Sequence, residues 1–361
     1  MTPSEHLVRS LKVRTCVVPL DPEVQTASGR VPVAPLVLID LETDAGMIGS
    51  SYIFTYTPVA LKPTAELVRG MEVVIKGRPL APTTLYDLLC RNFRLLGSEG
   101  LVLMAIAAID MAAWDAAART TKLPLAKLLG ASPARIPAYA SLRNMKPDDL
   151  AKEAESLLPS GFRAFKFKIG WPDLDDDLAA IRALRAVVGD GVEIMVDFNQ
   201  SLSVADAKRR IRALEGLGIA WVEEPTLMTD LVGQSEIRRV ARIPIQAGEN
   251  WWGPPDAARS IAAGATDLVM ADLMKIGGVT GWLRTAALAE AAGLPLSSHI
   301  FPEVSAHCLA ATPTAHWLEY LDLAGSILAE PLTVSNGYVT ASDQPGSGVA
   351  WNEKAIAKYA T

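Results

Sequence analysis

The chain has 361 residues, of which half are hydrophobic and a fifth charged, and this composition is typical of a globular protein with an ample core. A net charge of −6 and the lack of a basic run argue against a nucleic-acid-binding protein. Three scattered cysteines are too few for a disulfide framework. The N-terminal residues do not resemble a signal peptide and no apolar run reaches a membrane span. We therefore expect a cytoplasmic protein with no membrane partner.

Residues 1–130 predict an α+β module of three antiparallel strands followed by helices. The predicted strands are 7–20, 33–41 and 47–54, and the predicted helices are 58–76, 82–95 and 98–121. Residues 21–32 contain Pro, Gly, Asp and Ser, so they are predicted to form a loop between the first two strands. The helix at 98–121 is apolar nearly all round and is expected to be buried.

Residues 131–328 show strict alternation of strand-like and helix-like segments at intervals of 20–30 residues. The predicted strands are 135–142, 163–169, 192–197, 219–223, 244–249, 267–271, 295–298 and 316–320. Seven predicted helices separate them, so the pattern indicates a parallel α/β barrel. The tail, 329–361, contains a turn at Asn336–Gly337 and is predicted to return to the N-terminal module.

Three acidic residues end three successive predicted barrel strands: Asp197, Glu223 and Glu249. The steps between them are both 26 residues, which is the length of one βα unit. Because the C-terminal ends of barrel strands meet at one mouth, we expect the three carboxylates to converge. At ~4 Å and an effective dielectric constant of ~20, each like-charged pair costs roughly 4 kcal/mol, and a divalent cation removes this cost. All-oxygen ligands favour Mg²⁺, for which Mn²⁺ can substitute, over Zn²⁺.

Candidate bases lie on two other predicted strands. Lys166 and Lys168 are two residues apart, so both side chains face one side of a strand, and their mutual repulsion is expected to lower one pKa. A lysine with a lowered pKa can act as a general base, although a pair of lysines at a barrel rim can also simply reach solvent. His299 and Asp272 end neighbouring strands, where the carboxylate can fix the imidazole tautomer.

The arrangement of these groups suggests a reaction. The predicted strands of Lys168 and His299 face each other across the barrel, so a bound carboxylic acid would have one base on each side. A metal-bound carboxylate has an acidified α-proton, and removal from one face with return to the other is racemisation or epimerisation. Glu319, on the last barrel strand, could donate a hydrogen bond to the substrate carboxylate if it were protonated.

Several motifs resemble the mandelate racemase subgroup of the enolase superfamily. They are Lys166-Phe167-Lys168, Asp197-Phe198-Asn199, Glu223-Glu224-Pro225, Gly248-Glu249-Asn250, Asp272-Leu273-Met274-Lys275, Ser298-His299, and the longer runs 110–115, 275–282 and 310–319. The resemblance extends from about residue 12 to the end of the chain. It implies an α/β fold, a modified TIM barrel of (β/α)7β type with an N-terminal α+β capping domain that the C-terminal tail completes. A Lys or His base acting with Mg²⁺ is general to this superfamily, so that mechanism is implied by the resemblance.

The resemblance also implies a role for each matching residue. Asp197, Glu223 and Glu249 would ligate Mg²⁺, Lys168 would be the base for the S enantiomer and His299 the base for the R enantiomer. Asp272 would pair with His299. Lys166 would contact the substrate carboxylate and tune Lys168, and Glu319 would be the acid that hydrogen-bonds this carboxylate. Ser141 would contact the same carboxylate, and Asn199 the substrate hydroxyl or the metal shell.

Substrate choice is expected to depend on two segments of the capping domain, 21–32 and 50–57. Within them the candidate substrate-binding residues are Val24, Thr26, Ser28, Val31 and Tyr56. The two valines and the tyrosine fit an apolar wall for a phenyl ring, whereas a valine would be expected in place of the serine. Arg30 and the run 142–144 also depart from the family pattern, and the arginines could admit a more polar or second anionic group.

The expected function is Mg²⁺-dependent racemisation of a 2-hydroxy acid, with mandelate as the expected substrate, by two-base proton transfer through a metal-stabilised enediolate. The main alternative is an acid-sugar dehydratase, which would use the same metal and bases but eliminate water. A cycloisomerase is less favoured, because a second lysine usually replaces the His–Asp pair there. A binding protein on a relic barrel is disfavoured because no site residue is missing. The expected partners are a small-molecule carboxylate and, by analogy with the family, further copies of the chain in an octamer.

Overall fold

Two sheets organise the protein, which is described by a computed structural model over residues 6–132 and 134–361. One is an antiparallel sheet of three strands, and the other is a curled parallel sheet of eight strands with a short ninth strand added to it. Residues 1–5, on which the expectation about a signal peptide rests, lie outside the described part of the chain.

The N-terminal capping domain packs its sheet against a layer of helices. Its elements are β1 (Val8–Thr26), β2 (Gly29–Thr43), β3 (Ile48–Phe54), α1 (Pro58–Ile75), α2 (Pro82–Asn92), α3 (Leu101–Thr120) and the short α4 (Leu125–Leu128). Contact between β3 and α3 is close, because a Cβ on Gly49 would lie 2.1 Å from the carbonyl oxygen of Ala112. Among the described residues, α3 is the one helix with the length and hydropathy of a membrane span, but 83% of that window is buried inside the protein. It is therefore the core helix that its sequence predicts.

The prediction that residues 21–32 form a loop is wrong. Strands β1 and β2 continue through this segment as a hairpin, with Val24 opposite Val31 and only two residues at the turn. The ladder is irregular between Pro19 and Val24, where Pro22 has no N–H to donate. The sequence of this segment resembles a loop because it accommodates that irregularity. The side chain of Thr26 accepts the N–H of Ser28 at 3.1 Å and closes the turn.

The parallel sheet closes into a barrel. Its strands are β4 (Arg135–Ser141), β5 (Ala164–Lys168), β6 (Glu193–Asp197), β7 (Ile219–Glu223), β8 (Ile245–Ala247), β9 (Leu268–Asp272), β10 (Leu296–His299) and β11 (Leu318–Tyr320). From β4 to β10 each strand pairs with the next, and β11 pairs with β4. Between β10 and β11 the N–H of Ser298 donates to the carbonyl of Trp317 at 3.0 Å, which completes the ring.

Seven connections on the outside of the barrel contain the helices. These are α5 (Pro147–Leu157), α6 (Leu174–Val188), α7 (Val204–Leu214), α8 (Leu231–Val240), α9 (Pro254–Ala262), the pair α10 (Leu273–Ile276) and α11 (Gly278–Ala292), and α12 (Pro302–Ala310). Side chains of Asp173, Ser203 and Asp230 cap the N-termini of α6, α7 and α8. The predicted fold, a modified (β/α)7β barrel with an N-terminal cap, is confirmed.

The C-terminal tail contacts both sheets. Its strand β12 (Tyr338–Thr340) pairs antiparallel with β4 of the barrel, and its helix α13 (Glu353–Tyr359) lies near β1 of the cap. Arg14 of β1 forms an ion pair with Glu353 at 2.7 Å, and the hydroxyl of Thr15 donates to the carbonyl of Thr361 at 2.7 Å. The tail therefore ties the cap to the barrel.

Candidate active site

A cavity of about 360 Å³ lies at the C-terminal ends of the barrel strands, beneath the hairpin of β1 and β2. Six of the eight non-glycine residues with positive φ in the described chain lie at this mouth: Tyr56, Asn199, Gln200, Glu224, Ile300 and Phe301. Left-handed conformations are unfavourable for such side chains and are retained where the surrounding structure enforces them. The barrel mouth is thus the region where backbone strain is concentrated.

The three predicted metal ligands lie together on the floor of this cavity. Asp197, Glu223 and Glu249 are buried, and each offers a carboxylate oxygen within 4.8 Å of those of the other two. Glu249 reaches the cluster because Gly248 precedes it. With φ at +136°, a Cβ on this glycine would lie 2.3 Å from the carbonyl oxygen of Met270. The close approach of β8 and β9 therefore requires glycine.

The electrostatics of the carboxylate cluster fit a hard divalent cation. Burial and the charge of Glu249 raise the pKa of Asp197 to about 6. Burial also raises the pKa of Glu223 well above its usual range, although the ammonium of Lys166 opposes this. Burial acts on Glu249 in the same direction, but the charges of His299 and Lys166 outweigh it and lower its pKa to about 2. Burial thus opposes the simultaneous ionisation of all three carboxyl groups. A cation bound by all three would stabilise their ionised forms.

Lys166 is an ammonium held between two acids. Its Nζ lies 2.7 Å from Oε1 of Glu223 and 2.9 Å from Oε1 of Glu319. Burial lowers its pKa, but these carboxylates outweigh burial and raise the pKa well above the ordinary value. Of the lysine pair, Lys166 is therefore not the member whose pKa is lowered, because the acids on β7 and β11 outweigh the repulsion from Lys168. Its fixed charge suits it to bind a substrate carboxylate.

Lys168 lines the cavity in a different environment. Its Nζ donates to Oγ of Ser141 at 3.1 Å and lies 3.5 Å from the carbonyl oxygen of Leu142. Within residues 6–132 and 134–361, no carboxylate lies within 4 Å of this nitrogen. Ser141 contacts the amine of Lys168 and is not among the residues that line the cavity, and its predicted contact with the substrate carboxylate stays a prediction. The end of β4 thus orients Lys168 through uncharged groups.

His299 and Asp272 form the predicted pair, with 2.6 Å between Nδ1 and Oδ2. The other ring nitrogen, Nε2, lies 3.2 Å from Oε2 of Glu249 and faces the cavity. Burial lowers the pKa of His299, but Glu249, Glu319 and Asp272 outweigh it and raise the pKa to about 9. Asp272 is itself fixed, since its Oδ1 accepts the N–H of Lys275 at 2.9 Å and so caps α10.

Glu319 is not the neutral acid expected of a hydrogen-bond donor. Burial raises its pKa, but the charges of Lys166 and His299 outweigh burial and hold the pKa well below its usual range. Its Oε2 also accepts the N–H of Ile300 at 3.0 Å, which favours the carboxylate form. These contacts favour Glu319 as an acceptor, and the donor role predicted for it requires a protonated carboxyl.

The predicted substrate-binding residues of the cap line the upper part of the cavity. These are Val24, Thr26, Ser28, Val31 and Tyr56. Asn199 lies lower, where its N–H and its side-chain amide both donate to Asp197 at 2.7 Å. Its Oδ1 is buried and has no hydrogen-bond partner among residues 6–132 and 134–361, so it is available to a donor on a ligand.

Sequence reasoning missed several residues of the site. Ile300, Leu321 and Leu323 add apolar surface, and Glu224, Asn250 and Lys275 form a polar group beside the metal ligands. The side-chain amide of Asn250 donates to Glu224 at 2.7 Å, and Lys275 contacts Asn250 and stacks 4.5 Å from the ring centroid of Tyr56. Three of these were detectable, since Glu224 and Asn250 directly follow metal ligands and Leu321 lies two residues after Glu319.

Two arginines that depart from the family pattern have partners within the protein. Arg30 lines the cavity at the hairpin tip, where its side chain is two-thirds exposed and pairs with Glu23 at 2.9 Å. Arg143 does not line the cavity, and its guanidinium donates to the backbone carbonyls of Pro22 and Asp322. A second anionic group could therefore reach Arg30 but not Arg143, and the expectation that such a group is admitted stays a prediction.

Comparison with known proteins places the chain in a family. Residues 8–130 match the mandelate racemase / muconate lactonizing enzyme N-terminal domain, and residues 149–355 match the enolase C-terminal domain-like family. The chain belongs to the enolase superfamily. Within it, the match to the N-terminal domain assigns the chain to the mandelate racemase subgroup, as its motifs predict.

Relatives of this superfamily member catalyse several reactions. A Streptomyces coelicolor 3,6-anhydro-α-L-galactonate cycloisomerase is 32% identical over 90% of this chain and 91% of its own length. An L-talarate/galactarate dehydratase from Salmonella typhimurium is 31% identical over 72% of this chain and 66% of its own. A Bradyrhizobium enolase crystallised with magnesium and mandelic acid is 47% identical, with a TM-score of 0.96 over the whole of both chains. The protein is therefore an enolase-superfamily enzyme of the isomerase and dehydratase type.

Proposed function

We propose that this enzyme racemises a 2-hydroxy acid, with mandelate as its substrate. The observation that carries the proposal is the placement of two bases in one cavity. Lys168 ends β5 and His299 ends β10. Around the barrel, two strands (β4 and β11) separate them in one direction and four strands (β6 to β9) in the other, so the two bases line different sides of the cavity. The three metal ligands end strands β6 and β7 and follow β8, between the two bases.

Mg²⁺ is the cofactor, as the three buried carboxylates predict and as the magnesium in related crystal structures supports. When bound by Asp197, Glu223 and Glu249, it would supply positive charge to the oxygens of a substrate carboxylate. The ammonium of Lys166 adds a second positive charge at the same place. A carboxylate bound there would also raise the pKa of Glu319 and turn it into the donor that the family role requires.

The two bases would then move the α-proton. Lys168, held by Ser141, takes the proton from one face of the substrate, and Nε2 of His299 returns a proton to the other face. Asp272 holds Nδ1 of the imidazole, so the proton that His299 gives and takes is the one on Nε2. Reversal of the roles converts the second enantiomer into the first.

The upper cavity favours an aryl group on the substrate. Val24 and Val31 face each other across the hairpin, and Phe54, Leu321 and Leu323 continue the apolar surface. The cavity is of a size that suits a small ligand, and the related Bradyrhizobium protein was crystallised with mandelic acid. An acid sugar would leave its hydroxyl groups without partners against this apolar wall, which disfavours the dehydratase reaction.

Proton NMR of R- and S-mandelate with the enzyme and Mg²⁺ in D₂O, alongside polarimetry, tests the proposal. We expect loss of the α-proton signal of both enantiomers together with decay of optical rotation. Absence of exchange with either enantiomer contradicts the proposal. Formation of 2-keto products from sugar acids under the same conditions would favour the dehydratase instead.

A further inference from the structure

The apolar walls of the cavity come from two regions that are distant in sequence. One wall is the hairpin of the cap, with Val24 and Val31, and the other follows β11 of the barrel, with Leu321 and Leu323. A substrate ring contacts both walls at once only if the distance between them is maintained. The contacts that hold them to each other therefore bear on specificity.

One guanidinium bonds to both walls. Nη1 of Arg143 donates to the carbonyl oxygen of Pro22 at 3.1 Å, and Nη2 donates to that of Asp322 at 2.5 Å. Pro22 lies two residues before Val24, and Asp322 lies between the two leucines of the second wall. The planar, permanently charged fork of an arginine suits two carbonyls at a fixed spacing.

The backbone beside this side chain is anchored independently to the barrel. Glu153, on α5, accepts the N–H groups of Arg143 and Asn144 at 2.9 to 3.0 Å. The carbonyl of Arg143 in turn accepts the N–H of Gln25 in the hairpin at 2.8 Å. The guanidinium thus extends from a fixed base on the barrel, and its loss would leave that base in place.

We propose that Arg143 is a specificity-determining positioning residue that sets the spacing of the two apolar walls. This inference deepens the proposed function and rests on it for the identity of the substrate. Arg143 touches neither the cavity nor the bases, so its effect is on the fit of the aryl group rather than on proton transfer. Ser141 and Leu142, which contact Lys168, are held by β4 and by Glu153 rather than by the guanidinium.

The decisive variant is Arg143→Met, which keeps an unbranched side chain and removes every donor. Hydrogen–deuterium exchange of residues 20–32, measured by mass spectrometry with Mg²⁺ and no substrate, reports the hairpin directly. We expect exchange to rise about tenfold, in line with the loss of a charge-assisted hydrogen bond. Arg143→Lys, whose single ammonium cannot span both carbonyls, should give a smaller rise, and it carries the test if the methionine variant does not fold.

The matched control is Arg30→Gln. It removes the same charge from the same region, but the Arg30 side chain pairs with Glu23 inside the hairpin itself, and exposed pairs contribute little. Its exchange should remain within about twofold of the unmodified protein. Equal exchange in both variants, or unchanged exchange in a folded Arg143→Met, overturns the proposal.

Kinetics with mandelate separate positioning from a merely structural effect. For Arg143→Met we expect KM to rise about tenfold while kcat stays within about threefold, because the bases keep their positions. A fall in kcat with KM unchanged contradicts the proposal. If the unmodified enzyme exchanges no α-proton of mandelate, the proposed function fails, while the exchange data still decide whether Arg143 anchors the hairpin.

Discussion

The barrel mouth and the capping hairpin meet at one cavity but are held in different ways. At the mouth, reacting groups lie directly opposite each other in neighbouring strands: Lys168 beside Asp197, Asp197 beside Glu223, and Asp272 beside His299. Backbone ladders on both sides fix each strand. The hairpin projects from a three-stranded sheet and meets the barrel through contacts that include those of Arg143 with Pro22 and Gln25. The positions of the reacting groups are thus fixed by many backbone hydrogen bonds, whereas we propose that the fit of the substrate depends on the smaller set of contacts that hold the hairpin.

Metal removal should have the largest effect on activity, because the barrel mouth would lose the positive charge that acidifies the α-proton of the substrate. Thorough chelation with EDTA should abolish α-proton exchange, and added Mg²⁺ should restore it, since Asp197, Glu223 and Glu249 converge on one point. Circular dichroism should show the fold intact throughout. Activity that survives chelation would show that these carboxylates have another role.

The variant His299→Asn tests the separation of the two bases. Racemisation should fall by about 10⁴-fold, the upper range for a lost general acid–base group. Lys168 should still exchange the α-proton of S-mandelate with D₂O, because its contacts with Ser141 and Leu142 do not involve His299. NMR of each enantiomer measures this. Persistence of exchange in both enantiomers would mean that His299 is not a base.

A smaller effect is expected from Ser141→Ala, which removes the hydroxyl partner of Lys168 without changing charge. We expect kcat to fall by about tenfold, as for one lost hydrogen bond, with KM for mandelate nearly unchanged. Ser141→Thr keeps the hydroxyl and serves as the control. A rise in KM with kcat unchanged would instead support the family role of this serine as a carboxylate contact.

The smallest effect should come from the hairpin wall. Val31→Ala removes two methyl groups from a partly exposed position. A fully buried group of this kind contributes about 0.8 kcal/mol, and a partly exposed one contributes less. We therefore expect KM for mandelate to rise by a few-fold, with kcat retained. Val31→Thr keeps the shape and replaces one methyl by a hydroxyl, which makes it the matched comparison. If Val31→Ala lowered kcat by orders of magnitude, the division of labour between mouth and hairpin would be wrong.

Much of the site could be predicted because strand ends are local features. Asp197, Glu223, Asp272 and His299 each end an apolar run, and parallel strands place such residues on one face whatever the remaining packing. The fold class followed from the same alternation of strands and helices. Glu224 and Asn250 were missed although they adjoin metal ligands, because their left-handed or irregular backbone re-aims their side chains into the cavity.

The fold class, the succession of barrel strands and the three carboxylates proposed to bind the metal could be read from the sequence, since periodicity and strand ends encode them within 30 residues. The hairpin, the partner of Ser141 and the charge of Glu319 became known only from the folded structure. Ser141 contacts Lys168, which lies 27 residues further along the chain, and the charge of Glu319 is set by Lys166 on another strand. Val24 and Val31 are only seven residues apart, but the hairpin that pairs them is held to the barrel by the distant Arg143. Long-range contacts of this kind involve burial and charge, which a local pattern of residues does not contain.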